Sequence, residues 1–343
     1  MTGALTRAAI FLGAVGAGSA CAANYPGREV SSAMWNTLSG TPPIVIAHRG
    51  ASAFRPPHTL EGYELGVDLG ADFIEPDLVL TRDDVLVCRH DRYLGSTTNV
   101  ADHPEFADRR VEKGGRTDWW VEDFTLEEIR TLRARQDNPR RSTEYDDRFL
   151  IPTFEEVIAL ARRKTDETGR VIGIYPEPKR AAEFAAMGKD LTTAVVAALE
   201  KAGWTGPDAP VIVQSFETPV LEALDKRIDV PLVQLVSARR SNDPGAPPES
   251  EIELEGITAY ADGVGPGKGL IVGEDGRVSD FVERAHALGL WVHVWTLAGD
   301  RDSPDGLSPE DETRRLYDLG VDGVFADDPG QAVRIRQERE SPG

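Results

Sequence analysis

Five side chains stand in an order suited to one kind of chemistry: His48 in AHRG, Glu75 and Asp77 in IEPDL, His90 in CRHD and Glu177 in YPEPK. Glu75 and Asp77 are two apart on an apolar strand, so they point to one face. Carboxylates placed there are costly unless paired or bound to a cation. With Glu177 they form a hard-oxygen set suited to one divalent cation, Ca2+ or Mg2+, completed by water and a substrate oxygen. Zinc fits less well, because neither cysteine is placed to help. The imidazoles of His48 and His90 titrate near neutrality and could serve as general base and general acid on opposite sides of such an ion. Arg49 and Lys179 would neutralise phosphate oxygens as charge develops. The reaction implied is metal-assisted displacement at phosphorus.

Other side chains are secondary candidates. Gln214 and Phe216 share a face at the end of an apolar strand, and Trp295 shares the face of His293 near the end of another; these could line the mouth of the site and wall an alcohol group. His58 sits at a helix start and reads as a cap or a solvent-facing group, with contact to the site as the lesser alternative. His103 and His286 read as exposed, and His293 could point inward or outward. Gly265-Pro266-Gly267 reads as a plain turn.

These residues need a scaffold, and the chain supplies short β-branched runs alternating with segments of helical period. Strands are predicted at 43–48, 71–80, 85–90, 171–175, 210–215, 231–236, 262–265, 290–296 and 321–326, and helices at 59–69, 125–133, 153–164, 191–202, 219–226, 279–288 and 312–319. The strand at 85–90 follows its predecessor after a tight turn, so it must be antiparallel. The remaining eight suit a (β/α)8 TIM barrel, a fold whose active site lies at the C-terminal ends of its strands. A two-residue loop at Arg82-Asp83 would pair Glu75 with His90 and Asp77 with Cys88. Residues 92–150 form a charged insertion after the second strand and its hairpin, too long for a plain connection, and they suggest a lid or a substrate-facing segment. Within it, Thr125 and Glu128 have the spacing of a capping box. A Pro-, Ser- and acid-rich stretch at 237–255 reads as a solvated loop.

Composition narrows the partners. In 343 residues, 58 Asp and Glu outweigh 38 Lys and Arg, a formal charge of −20 that argues against a nucleic-acid partner. Residues 1–23 carry one charge, Arg7, then an apolar run and small residues, as a secretory signal does. Cleavage could follow Ala22, or precede Cys21 if that cysteine is lipidated, so an exported, periplasmic, envelope-anchored or secreted protein is expected. Membrane attachment would then come only through Cys21. Cys88 lies in an apolar run and reads as a small buried side chain.

The motifs IAHRGAS, FIEPDL, VCRHDRYL, DFTLEEI, IPTFEEVI, IGIYPEPK, VQSFE, YADGVGP and VDGVFADDP together resemble the glycerophosphodiester phosphodiesterases, in particular the periplasmic or secreted bacterial subgroup. The resemblance implies a TIM barrel over 41–335 and a small-molecule glycerophosphodiester substrate, hydrolysed to glycerol phosphate and an alcohol. It implies Glu75, Asp77 and Glu177 as metal ligands, His48 and His90 as the acid/base pair, and Arg49 and Lys179 as phosphate contacts. One position departs from the family pattern: Pro57 stands where an acidic residue is usual, which bears on the metal's surroundings, Arg49 or substrate choice. Two other readings compete: a phospholipase D-like enzyme acting on lysolipids or sphingolipids through a cyclic phosphate, and a surface-anchored binding protein of the same fold without turnover.

Overall fold

The computed structural model of the chain describes residues 35–239 and 249–340. The expected leader, Cys21 and part of the acid-rich loop lie outside the described residues. The N-terminal unit comprises β1 (Ile44–His48), α1 (Leu60–Asp68), β2 (Phe73–Glu75), β3 (Asp77–Leu80) and β4 (Leu86–Cys88). The insertion carries β5 (Val111–Lys113), β6 (Arg116–Asp118) and α2 (Leu126–Ile129). Then come α3 (Phe154–Thr168), β7 (Gly173–Ile174), β8 (Glu177–Pro178), α4 (Ala181–Ala186), α5 (Leu191–Ala202), β9 (Val213–Ser215) and α6 (Thr218–Leu224). The chain ends with β10 (Leu232–Val236), α7 (Leu254–Ile257), β11 (Gly263–Pro266), α8 (Phe281–Ala287), β12 (Trp291–Leu297), α9 (Pro309–Asp318), β13 (Gly323–Ala326) and α10 (Pro329–Glu340).

Eight of these strands lie side by side in the order β7-β2-β1-β13-β12-β11-β10-β9, and their pairings are parallel. A parallel bridge between Ile174 and Val211 joins the two ends, with Ile174 N–H donating to Pro210 O at 2.9 Å and Ile212 N–H to Ile174 O at 3.1 Å. The expected (β/α)8 barrel is therefore the observed fold. Its interior is filled by Ile46, Phe73, Tyr175, Ile212, Val233 and Phe325, while two larger apolar clusters pack between strands and helices. Inward packing of large side chains at alternate strand positions makes the barrel a core and leaves its C-terminal face for chemistry.

Local signals set several boundaries. Thr125 and Thr153 each accept from the backbone N–H three residues on, and Glu128 and Glu156 return the bond, so both helices start in capping boxes. A cap of this kind is worth about 1 kcal/mol. Gly50, with φ 89°, lets β1 turn back against α1, because a Cβ there would lie 2.6 Å from Gly62 C. Any side chain at Gly50 would push the first loop off the helix.

Two expectations are corrected. The predicted strand at 71–80 is broken at Pro76, which has no N–H to give a ladder and leaves its carbonyl to accept from Glu177 N–H at 2.9 Å. The hairpin register is also shifted by one: Leu78, Val79 and Leu80 face Cys88, Val87 and Leu86. Thr81 and Val85 close the turn through a 3.0 Å backbone bond, and Asp84 takes the left-handed conformation at φ 59°, which makes a three-residue loop instead of two. Asp77 therefore stands opposite Arg89, whose N–H donates to Asp77 O at 2.9 Å. Glu75 and His90 are not a cross-strand pair.

Candidate active site

The strand ends bring the three carboxylates together. Glu75 ends β2, Asp77 opens β3, and Glu177 opens β8, which pairs with β3 so that Asp77 and Glu177 are register partners. All three are buried, and one oxygen from each lies within 4.8 Å of the others. Lys179 Nζ donates to Glu177 Oε1 at 2.8 Å and stands 3.8 Å from Asp77 Oδ1. Gln214 Nε2 donates to Glu75 Oε1 at 3.3 Å, and Arg49 N–H donates to Glu75 Oε2 at 2.8 Å. The Arg49 guanidinium lies 3.4 Å from Asp77 Oδ2.

Three buried acids in one place cannot all ionise without help. Burial, reinforced by Asp77, pushes Glu75 well above the usual carboxylate range. Burial, against the pull of Lys179, pushes Glu177 up to about 7. Asp77 goes the other way: Lys179 and a hydrogen bond from His58 overcome its burial and hold it well below the ordinary value. Asp77 Oδ1 accepts no hydrogen bond. A buried carboxylate oxygen left open beside two further carboxylates is the donor set of a hard divalent cation, and the residues fit one.

His58 belongs to this shell, the lesser of its sequence readings, and is neither a cap nor a solvent-facing side chain. Its Nε2 donates to Asp77 Oδ2 at 3.0 Å, and its Nδ1 faces Tyr63 Oη at 2.8 Å. Burial lowers its pKa to about 3, so the ring is neutral, with the proton on Nε2 and Nδ1 accepting from the tyrosine hydroxyl. Thr59 does cap α1, as expected. Two non-glycine residues of the first loop, Arg49 and His58, adopt positive φ values of 59° and 58°, joined by a 3.0 Å bond from His58 N–H to Arg49 O. Non-glycine residues in this region cost energy and cluster where geometry is imposed by a site.

His48 ends β1, and its Nδ1 donates to Asp327 Oδ1 at 2.6 Å. A carboxylate can only accept, so Nδ1 carries the proton and Nε2 has a free lone pair. Burial lowers the pKa of His48, Arg49 adding to the effect and Asp327 opposing it. Asp327 also accepts from Ser52 Oγ at 2.9 Å and, on its other oxygen, from Arg141 at 2.6 Å. Asp327, Ser52 and Arg141 were not candidates from the sequence, although the acid pair following the last strand, in FADDP, sits where barrel site residues occur. His90 is half-buried, its Nδ1 3.1 Å from Asp91 Oδ1, and its charge bears on Asp77.

The outer candidates separate into mouth and interior. Phe216 and Trp295 meet edge to face with ring centroids 5.6 Å apart; Lys179 Nζ lies 5.8 Å from the Phe216 ring, and Trp295 Nε1 donates to Gly265 O at 2.8 Å. His293 points into the barrel and bonds Tyr175 Oη at 2.8 Å. His286 and His103 pair locally with Asp322 at 2.8 Å and Glu105 at 3.0 Å. Cys88 is buried and free.

Comparison with known proteins identifies the family. A glycerophosphodiester phosphodiesterase of Arabidopsis thaliana is 34% identical over 92% of this chain and 91% of its own length. One from Haemophilus influenzae is 31% identical over 89% of this chain and 93% of its own. Among solved structures, a glycerophosphoryl diester phosphodiesterase from Silicibacter pomeroyi superposes with a TM-score of 0.65 at 23% identity, covering 89% of this chain and 98% of that one. An Oleispira antarctica phosphodiesterase, solved with sn-glycerol-3-phosphate, gives 0.62 at 23% identity over 88% and 99% of the two chains. Residues 48–331, from the first histidine to beyond Asp327, match the profile of the Glycerophosphoryl diester phosphodiesterase family, and the chain belongs to that family.

Proposed function

We propose that this chain hydrolyses glycerophosphodiesters to glycerol phosphate and an alcohol with Glu75, Asp77 and Glu177 holding one divalent cation, Ca2+ or Mg2+, and with His48 and His90 moving the protons. The observation that carries this reading is the convergence of three buried carboxylates, with Asp77 Oδ1 left without a hydrogen bond. The family membership and the glycerol phosphate held by the Oleispira enzyme support the substrate class. When bound, the cation would supply Lewis-acid polarisation of a phosphoryl oxygen.

The side chains supply the rest. His48, neutral and with Nδ1–H fixed by Asp327, offers Nε2 as the base that takes a proton from the attacking water. His90 gives a proton to the departing alcohol oxygen. Arg49 and Lys179 neutralise the phosphate oxygens as charge gathers there. Gln214 holds Glu75, while Phe216 and Trp295 wall the alcohol group. The sequence of residues 1–23, with Cys21, supports export, with a lipid anchor as one form of it.

The test is incubation of the purified protein with glycerophosphocholine in chelator, Ca2+ or Mg2+, read by phosphorus NMR. Glycerol phosphate should appear only with a cation; a cyclic ester would favour the phospholipase D-like reading, and no product with either ion would sink both. His58→Leu tests the shell beneath. It removes the donor to Asp77 and is expected to weaken cation affinity about 10- to 100-fold by calorimetry. Unchanged affinity would show that His58 does not orient the ligand.

A further inference from the structure

The insertion returns to the barrel mouth through residues 134–149 and is fastened there. Gln136 Nε2 donates to Ser52 O at 3.0 Å, and the Arg55 guanidinium stacks 3.6 Å from the Tyr145 ring centre. Arg141 lies at the centre of this strap, with its side chain 9% exposed. Its Nε donates to Asp300 Oδ2 at 2.8 Å, one terminal nitrogen to Ser52 O at 3.1 Å, and the other to Asp327 Oδ2 at 2.6 Å. Asp300 is held in turn by Asn138 Nδ2 at 2.9 Å.

We infer that Arg141 is a positioning residue for His48, so that the insertion helps to set the acid/base group of the barrel; this rests on the proposed role of His48. The carboxylate of Asp327 has two oxygens with divided duties: Oδ1 takes His48 and Ser52, and Oδ2 takes Arg141. Rotation about the last bond of an aspartate is soft, so one occupied oxygen does not fix the plane of the group. A guanidinium anchored on Asp300 and Ser52 does fix it, because its planar fork holds three acceptors in set directions. Without Arg141, Oδ2 would be buried without that partner, and the carboxylate would turn, carrying Oδ1 away from His48 Nδ1. Arg141 reaches His48 only through Asp327.

The experiment compares Arg141→Ala and Arg141→Gln with the wild-type enzyme. Misplacing a reacting group by about 1 Å can cost about 10²-fold, so kcat is expected to fall by about that factor while KM and cation affinity stay within about two-fold. Arg141→Lys, which keeps the charge without the fork, should recover part of kcat, as should methylguanidinium added to the alanine variant. In the wild type the His48 Nδ1 proton should give a downfield NMR resonance that shifts or broadens in both variants. Unchanged kcat, an unmoved resonance, or a kcat loss that merely follows lost cation affinity and thermal stability would each overturn the inference. If the alanine variant does not fold, the glutamine variant carries the same comparison. The resonance is read without turnover, so an inactive wild type would sink the functional reading while the test of Arg141 still returned an answer.

Discussion

Asp77→Asn is expected to abolish cation binding and to reduce turnover by at least about 10³-fold, since Lewis-acid stabilisation of phosphoryl transfer is worth several kcal/mol and each factor of ten is about 1.4 kcal/mol. The substitution keeps shape and still offers an acceptor to His58, so the surrounding hydrogen bonds survive. The cation-free variant should be less stable than the wild type, because Asp77 is the acid whose charge Lys179 and Arg49 favour, and they lose it. The diagnostic difference appears on adding the ion. A cation at 100 times its Kd stabilises the wild type by about 2.7 kcal/mol, and the variant should gain almost nothing. The wild-type gain should also depend on pH. Glu177 has a folded-state pKa raised to about 7 from an ordinary 4.5, so its contribution to the cation-free fold is full below about 4.5 and is lost as pH rises through 7. Over that window the bare site weakens while the deprotonated carboxylate becomes free to bind the ion, so the cation-induced rise in Tm should grow from pH 5 to pH 8. A variant whose Tm rises with cation as the wild type's does would show that Asp77 is not a ligand.

The barrel was largely legible because its signals are local. Runs of β-branched residues of the right length, and threonines three residues ahead of glutamates, name strands and helix starts without knowledge of distant partners, and the helix at Leu191–Ala202 has the predicted bounds. The hairpin register failed at a single residue. Whether Asp84 or Asp83 ends the turn depends on which can adopt positive φ, and Asp tolerates that conformation at either position. The three carboxylates and His48 were visible because each sits at a strand end in an apolar setting, while His90 stands two residues past β4 between Arg89 and Asp91. Asp327 and Arg141 lie 279 and 93 residues along the chain from His48, and Arg141 sits in an insertion with no periodic pattern. Its role exists only once the insertion is folded over the mouth.

Pro76 and Pro176 connect the fold with the chemistry. Each interrupts a strand just before a site acid, Asp77 or Glu177, and each leaves its carbonyl accepting from the next element: Glu177 N–H bonds Pro76 O and Gln214 N–H bonds Pro176 O at 3.1 Å. The ladder thus steps sideways at the level of the site instead of continuing straight. Glu75 stays in the eight-stranded ring while Asp77 and Glu177 belong to the smaller sheet with the hairpin. A pleated strand without the proline would hold Glu75 and Asp77 at one fixed spacing, whereas here they arrive from two sheets. His58, brought in by the positive-φ turn before α1, then occupies the Asp77 oxygen that faces away from Lys179, which leaves Oδ1 as the open donor.

Asp327→Asn should lower kcat by about 10²- to 10⁴-fold, the usual worth of a positioned acid/base group, with cation affinity intact. The amide cannot satisfy both sides. If its oxygen keeps accepting from His48 Nδ1–H and Ser52, its NH2 meets the Arg141 donor. If it flips, NH2 donates to His48 Nδ1, which must then be unprotonated, and the proton moves to Nε2, where it blocks proton abstraction. Either arrangement leaves a buried donor facing a donor or the wrong tautomer facing the substrate. The charge matters as well as the geometry. His48 is already lowered by burial and by Arg49, and Asp327, more than Asp77, opposes them. Removing that charge should lower His48 further, so the acid limb of the kcat profile should move to lower pH even as the maximum falls. Loss of positioning alone would lower the maximum and leave the limb in place, so the pH profile separates the two contributions. A variant with wild-type kcat and an unmoved acid limb would falsify the assignment of Asp327 as the partner that sets His48.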